Sequence, residues 1–229
     1  MVYTDSMNRT KKIFIFIVLL ALIGFGIYQM KQNYSPLPTT PVDIDTLPKI
    51  TGEDPSYKLY TDEAQFSFKY PKELESVSHV DYYDMDQEGF ETLPWRTNTQ
   101  IPGIRYVTVT IPDSFQQNTN FRNAVFTIGA STDAQALKEC LVPTNGERAK
   151  GEATINSFTY SKITLSEGAA GNYYDTTSYR TVVSDMCFAI EYTIHSSNLR
   201  NYDPGTVGEF DTQAVVNVLE DMVQSFQLH

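Results

Sequence analysis

The chain has 229 residues, with 28 acidic side chains against 17 basic ones and a net charge of −11. Five of each sign fall in residues 1–56, so the whole excess sits on residues 57–229, which hold 23 acidic and 12 basic groups. Such a surface repels phosphate backbones and anionic headgroups, which excludes a nucleic-acid-binding role and a peripheral hold on anionic lipid.

Residues 13–30 read IFIFIVLLALIGFGIYQM, with one polar amide and no charge. A helix of that length rises roughly 27 Å, close to the hydrocarbon thickness of a bilayer. It is apolar all round rather than striped, which separates it from a buried core helix. Arg9, Lys11 and Lys12 precede it and Lys31 is the one early charge after it, so residues 1–12 are expected in the cytoplasm and the rest outside. The run ends without an A-x-A site, which favours an uncleaved signal anchor; cleavage after Gly24-Phe25-Gly26 is the alternative. A lipoprotein anchor would need an early cysteine, and the two cysteines are Cys140 and Cys187. Residues 31–56 follow with Pro36, Pro38, Pro41, Pro48 and Pro55, a spacer that stays extended and cannot pack as an element.

Residues 57–229 are long enough for one domain with its own core. Phe66, Phe68 and Tyr70 alternate with polar residues, a half-buried strand that meets Pro71. Residues 104–111 alternate with Val107, Val109 and Ile111 on one face, and residues 124–128 and 158–165 read as further strands. A capping box at Thr132 and Gln135 opens a helix that runs to about Leu141. Residues 173–183 and 186–195 form a hairpin turning at Ser184-Asp185. In its second arm Met186, Phe188, Ile190, Tyr192 and Ile194 share a face, while Cys187 and Ala189 lie on the other, as in a central strand covered on both sides. A second helix spans residues 212–225, with Val215, Leu219, Met222 and Val223 inward and Glu220 and Asp221 outward, and Phe226 and Leu228 suggest a short closing strand. The fold class expected is α+β, a largely antiparallel sheet flanked by helices and preceded by one transmembrane helix.

The opening Phe66-x-Phe68-x-Tyr70-Pro71 and the closing Ser225-Phe226-x-Leu228 resemble the first and last elements of PsbP/Mog1-like domains. The arrangement of anchor, spacer and domain, with the stretch 169–204, is similar to single-anchor membrane proteins of candidate-phylum bacteria. Leu74 stands where that family often has tryptophan. The resemblance implies a PsbP/Mog1-like sandwich and a protein that acts by binding other proteins; it implies no reaction.

Motifs that carry catalysis are missing from the sequence: there is no G-x-S-x-G, H-E-x-x-H, P-loop or dinucleotide fingerprint. Cys187 and His195 lie eight positions apart on one strand, about 26 Å, too far for a thiol–imidazole pair. His195 reads as a strand-end residue, with Ser196 and Ser197 in a turn. Asp84, Asp86, Glu88 and Gly89 imitate the first half of a calcium loop, but Pro94 and Trp95 occupy its second half, so a solvated acidic loop is expected and no metal or cofactor is assigned. Tyr173, Tyr174, Tyr179 and Tyr202 crowd one region, and Trp95 lies in the loop 91–102; exposed, they would offer a binding surface. Two cysteines in an oxidising compartment, one near a helix end and one on a central strand, are expected to form a Cys140–Cys187 disulfide. The function expected is a membrane-tethered, extracytoplasmic, non-catalytic binding module for a protein or envelope component. The alternative is an envelope hydrolase whose site is assembled from scattered residues, such as a cleft holding His79 or His195 with a carboxylate.

Overall fold

The computed structural model describes residues 55–62, 65–78, 82–83 and 94–229. The expected anchor at 13–30, the spacer, His79 and the acidic loop 84–89 lie outside the described residues. Eleven strands and two α-helices are described, with every strand pair antiparallel. β1 (Tyr57–Asp62), β2 (Phe66–Pro71) and β11 (Gln227–Leu228) make a small sheet in the order β1-β2-β11. The large sheet has eight strands. Those are β3 (Ser76–Ser78), β4 (Tyr82–Tyr83), β5 (Gly103–Pro112), β6 (Phe121–Ser131), β7 (Arg148–Ile155), β8 (Phe158–Ala169), β9 (Asn172–Val183) and β10 (Met186–Ser197). Their order is β3-β5-β6-β10-β9-β8-β7, with β4 also on β5.

β7 to β10 form a meander closed by three two-residue turns. Asn156-Ser157, Ala170-Gly171 and Ser184-Asp185 all have positive φ, from 43° to 77°, the handedness that matches strand twist in a tight hairpin. The turn expected at Ser184-Asp185 is therefore present, and β10 sits centrally between β6 and β9. Phe188, Ile190, Tyr192 and Ile194 of β10 join Val107, Val109, Phe126 and Ile128 in the main core. The small sheet and α2 (Thr212–Ser225) close that core, through Phe66 and Phe68 on one side and Val215, Leu219, Met222 and Val223 on the other. The Phe68 and Phe126 rings lie 5.2 Å apart, and Phe66 stacks on Phe226 at 5.5 Å. Each such fully buried side chain contributes about 1.5–3 kcal/mol.

The other face of the large sheet is covered at one end by α1 (Ala134–Glu139) and the segment 94–102. Three expectations are corrected here. The N-cap of α1 is Asp133, whose carboxylate accepts from the N–H groups of Gln135 and Ala136, because Thr132 lies one residue too early to reach them. Ser196 and Ser197 extend β10, where both are buried, rather than forming a turn. Glu220 points inward: it is 1% exposed and accepts from Tyr179 Oη at 2.7 Å and Tyr192 Oη at 2.7 Å, with Lys162 Nζ at 3.3 Å. Two buried hydroxyls and a lysine at the rim satisfy a carboxylate that helical periodicity alone assigns to solvent.

Candidate functional site

The covered end of the second face begins with a pair of glycines. Added Cβ atoms would come within 2.3 Å of Trp95 Cδ1 at Gly103 and 2.1 Å of Trp95 O at Gly129, so the segment 94–102 lies flat on the sheet because these two side chains are missing. Trp95 is fully buried there and its indole N–H donates to Ile101 O at 3.0 Å, so it contributes packing rather than an exposed binding surface. Beside it the Cys140–Cys187 disulfide ties the end of α1 to β10, with Cα atoms 5.7 Å apart. Cys140, Cys187, Ala136, Ala189 and Trp95 form a second, smaller apolar cluster.

Next to that cluster lies a buried set of charges. Arg180 of β9 donates from Nη1 to Glu147 Oε2 at 3.1 Å and from Nη2 to Glu147 Oε1, a forked pair on one carboxylate. Thr144 gives Glu147 its N–H at 2.8 Å and its hydroxyl at 3.2 Å, and Arg96 Nη1 reaches Oε1 at 3.5 Å. Burial alone would raise the Glu147 pKa, but Arg180, the Thr144 N–H and Arg96 outweigh it and hold the carboxyl below its ordinary value. Glu191 of β10 accepts from the Thr97 N–H at 2.5 Å and lies 3.7 Å from Arg180. Arg105 donates from Nε at 2.9 Å to Pro94 O and fixes the start of the segment. Burial first, then repulsion by Arg180, lowers the pKa of Arg96.

Arg96 belongs both to this cluster and to the lining of a recess of about 500 Å³. Its neighbours in that lining are Asn98, Thr99, Gln100 and Ile101 from the segment 94–102, Gln135 and Glu139 from α1, and Thr144 and Asn145 from the loop that follows. Asn98 Nδ2 donates to Asn145 O at 3.0 Å and joins the two loops across the rim. Both asparagines have positive φ, 57° and 45°, a conformation that asparagine accepts more readily than most residues. The groups presented are amides, hydroxyls, a guanidinium and a carboxylate, an assortment fitted to recognition by hydrogen bonds and charge.

The residues singled out in the sequence are distributed elsewhere. His195 stacks on Tyr174 at 4.4 Å and its Nε2 lies 3.0 Å from Asn172 Oδ1; burial, then Arg122, lowers its pKa. Tyr174 is 37% exposed, whereas Tyr179 is buried on the opposite face with Glu220, so the four tyrosines do not form one surface. Tyr173 Oη accepts from Asn198, and Tyr202 Oη pairs with Ser197 Oγ at 2.6 Å, which makes both fasteners of the 198–202 loop. Among the described residues no group of three metal-ligating side chains converges. Arg96, Glu147, Arg180 and Glu191 carry no local motif. The one available signal is Arg180 itself, a cation in phase with the buried Ser178 on an inner strand, where burial demands a partner.

No protein-family model matches the sequence. No curated relative matches it either. Among solved structures, one from Bacteroides thetaiotaomicron aligns with 76% of this chain and 49% of its own, at 13% identity and a TM-score of 0.37. The chain thus spans about half the length of that protein. The structure of LpqN, involved in cell envelope biogenesis of Mycobacterium tuberculosis, aligns with 75% of this chain and 90% of its own, at 11% identity and a TM-score of 0.32. Superpositions this loose carry no argument about activity.

Proposed function

We propose that the protein is an extracytoplasmic binding module, tethered to the cell membrane by residues 13–30, that uses the recess at Arg96 to hold a protein or envelope component. The observation that carries this reading is the state of the charged groups at the recess. Glu147 is saturated by Arg180, Thr144 and Arg96, so it is a fixed anion rather than a proton acceptor. What faces the recess is a set of hydrogen-bonding groups on loops clamped by a disulfide and by the Arg180–Glu147 pair, a preorganised surface of the kind that binds without reacting. The proline-rich stretch 31–56 supports the same reading, because a spacer lets a tethered domain reach a partner away from its own membrane. Residues 57–229 as a PsbP/Mog1-like domain agree with an antiparallel sheet whose first core strand, β2, pairs with the chain's last strand, β11. Leu74, at the position where that family often has tryptophan, is buried in the main core.

The test uses the full-length chain, solubilised with envelope membranes and recovered by affinity. Gln100 is exposed on the recess lining, so Gln100→Tyr should crowd the recess while leaving the fold intact. A component retained by the wild type and lost with Gln100→Tyr is expected. The same set of components on both proteins would overturn the assignment of the recess.

A further inference from the structure

The buried cluster joins two guanidinium groups, Arg96 and Arg180, to two carboxylates, Glu147 and Glu191, with the half-buried Arg105 held beside them on Pro94 O. Within it the hydrogen bonds are weakest at Arg96. Arg180 has the near oxygens of Glu147, while the contacts of Arg96 to Glu147 and to Thr97 O are long, at 3.5 and 3.4 Å. Arg96 is 1% exposed and its Nε has no hydrogen-bond partner among the described residues. A buried guanidinium N–H left unmade is costly, and a planar carboxylate matches its fork. The recess that Arg96 lines is where such an oxygen acid would enter.

A bare anion is not the best occupant, because Glu139 lines the same recess and its charge is felt at Arg96. Glu139 would repel a phosphate or a simple carboxylate and attract an ammonium group. Gln135 Nε2 donates to Glu139 Oε1 and holds it at the mouth. We propose that the recess binds a zwitterionic amino-acid group, with its carboxylate on Arg96 and its ammonium beside Glu139. The amides of Asn98, Gln100 and Asn145 supply neutral polar contacts, and about 500 Å³ leaves room for more than the smallest amino acid. The same chemistry is offered by a free amino acid and by a peptide or envelope polymer bearing an unsubstituted zwitterionic side group. The proposal rests on the recess being a binding site and names what that site selects.

Trp95 is the chain's single tryptophan and the Arg96 guanidinium lies 5.3 Å from its ring, so its fluorescence reports on this site. Full-length protein in detergent is titrated with glycine, N-acetylglycine, glycinamide and inorganic phosphate, by fluorescence and by calorimetry in parallel. Glycine is expected to bind with a Kd of about 1 mM, a modest affinity for so small a ligand. N-acetylglycine, lacking the ammonium, and glycinamide, lacking the carboxylate, should bind at least about tenfold more weakly, and phosphate not measurably. Glu139→Gln, a near-isosteric change at a half-buried side chain, should weaken glycine several-fold and strengthen N-acetylglycine, a crossover that a purely structural role for Glu139 would not produce. A soluble peptide carrying an amino acid joined through that amino acid's own side chain, so that its ammonium and carboxylate both stay free, is set to compete with free glycine and separates the polymer source from the free one. Equal affinity for glycine and either blocked form, binding of phosphate, or no saturable signal by either method would overturn the zwitterion assignment. If that happens while capture of a component still depends on Gln100, the binding module survives without this ligand.

Discussion

At the scale of single residues, the site is organised by buried charges whose partners come from distant parts of the chain. Arg96 lies 51 positions from Glu147, and Arg180 lies 33 from it. Removing one member of such a set leaves the others uncompensated, which costs about 3–5 kcal/mol. Glu147→Gln should therefore lower stability at pH 7 by about 3 kcal/mol, read as a shift of the urea midpoint. The pH dependence has a definite sign. The folded pKa of Glu147 lies below its ordinary value of 4.5, so the stability it contributes is complete above that value and is lost as pH falls through the folded one. The gap between wild type and Glu147→Gln should close as the solution is taken below about pH 4. A gap that stays constant down to pH 2 would show that the Glu147 charge is not held by Arg180 in this way. Glu220 was misread from sequence for a physical reason: periodicity places charged residues on the outer face of a helix, but cannot see Tyr179 and Tyr192 waiting across the core. Truncating it to alanine takes the carboxylate acceptor away from two buried hydroxyls and should cost about 3 kcal/mol by the same denaturation.

At the scale of elements, the legible parts were those whose own residues dictate their form. β10 and β5 alternate strongly, α2 carries its apolar stripe, and the expected helix 212–225 matches its observed span. The disulfide was legible because the alternation on β10 turns Cys187 away from the main core and toward the side that α1 covers. β1 and β7 were not. β7 reads RAKGEATI and is an edge strand, mostly exposed, whose charged residues protect an open edge and erase the period-two signal. The recess was invisible for a different reason: it is made by two loops and one short helix, and the first of those loops lies on the sheet over two glycines that no pattern marks. Two outcomes are expected at this scale. Replacing Cys140 and Cys187 together by serine should cost roughly 4 kcal/mol in the chain-entropy picture of a 47-position loop, and shift Trp95 emission to the red as α1 loosens. Gly129→Ala forces a Cβ against the Trp95 carbonyl and should destabilise by about 1–3 kcal/mol or more, again with a red shift, while the far-ultraviolet signature of the sheet persists. Unchanged Trp95 emission in both variants would mean that neither α1 nor the segment 94–102 depends on these contacts.

At the scale of the whole molecule, the proposal joins an anchor, a spacer and an acidic domain with a preorganised recess. It makes a topological prediction: protease added outside intact cells should remove residues 57–229 and leave a fragment that retains residues 1–30, whereas protection of the domain would reverse the assignment. The domain's acidity concerns its partners rather than its fold. An excess of 11 negative charges over residues 57–229 keeps it off anionic headgroups and favours a partner reached by specific contacts. On the proposed reading the recess supplies those contacts, on a face held by a disulfide, which suits an oxidising compartment. The most direct measurement is site-specific photo-crosslinking in intact cells, with a small aliphatic diazirine side chain placed at Gln100 on the recess or at Leu59, 64% exposed on β1 of the small sheet. That side chain is close to glutamine in size and so, unlike Gln100→Tyr, does not fill the recess. If the protein is a tethered module that binds through the recess, Gln100 should yield a discrete adduct with one envelope component, suppressed by Glu139→Gln, and Leu59 should not. Identical adducts from both positions, or none from Gln100, would contradict the account.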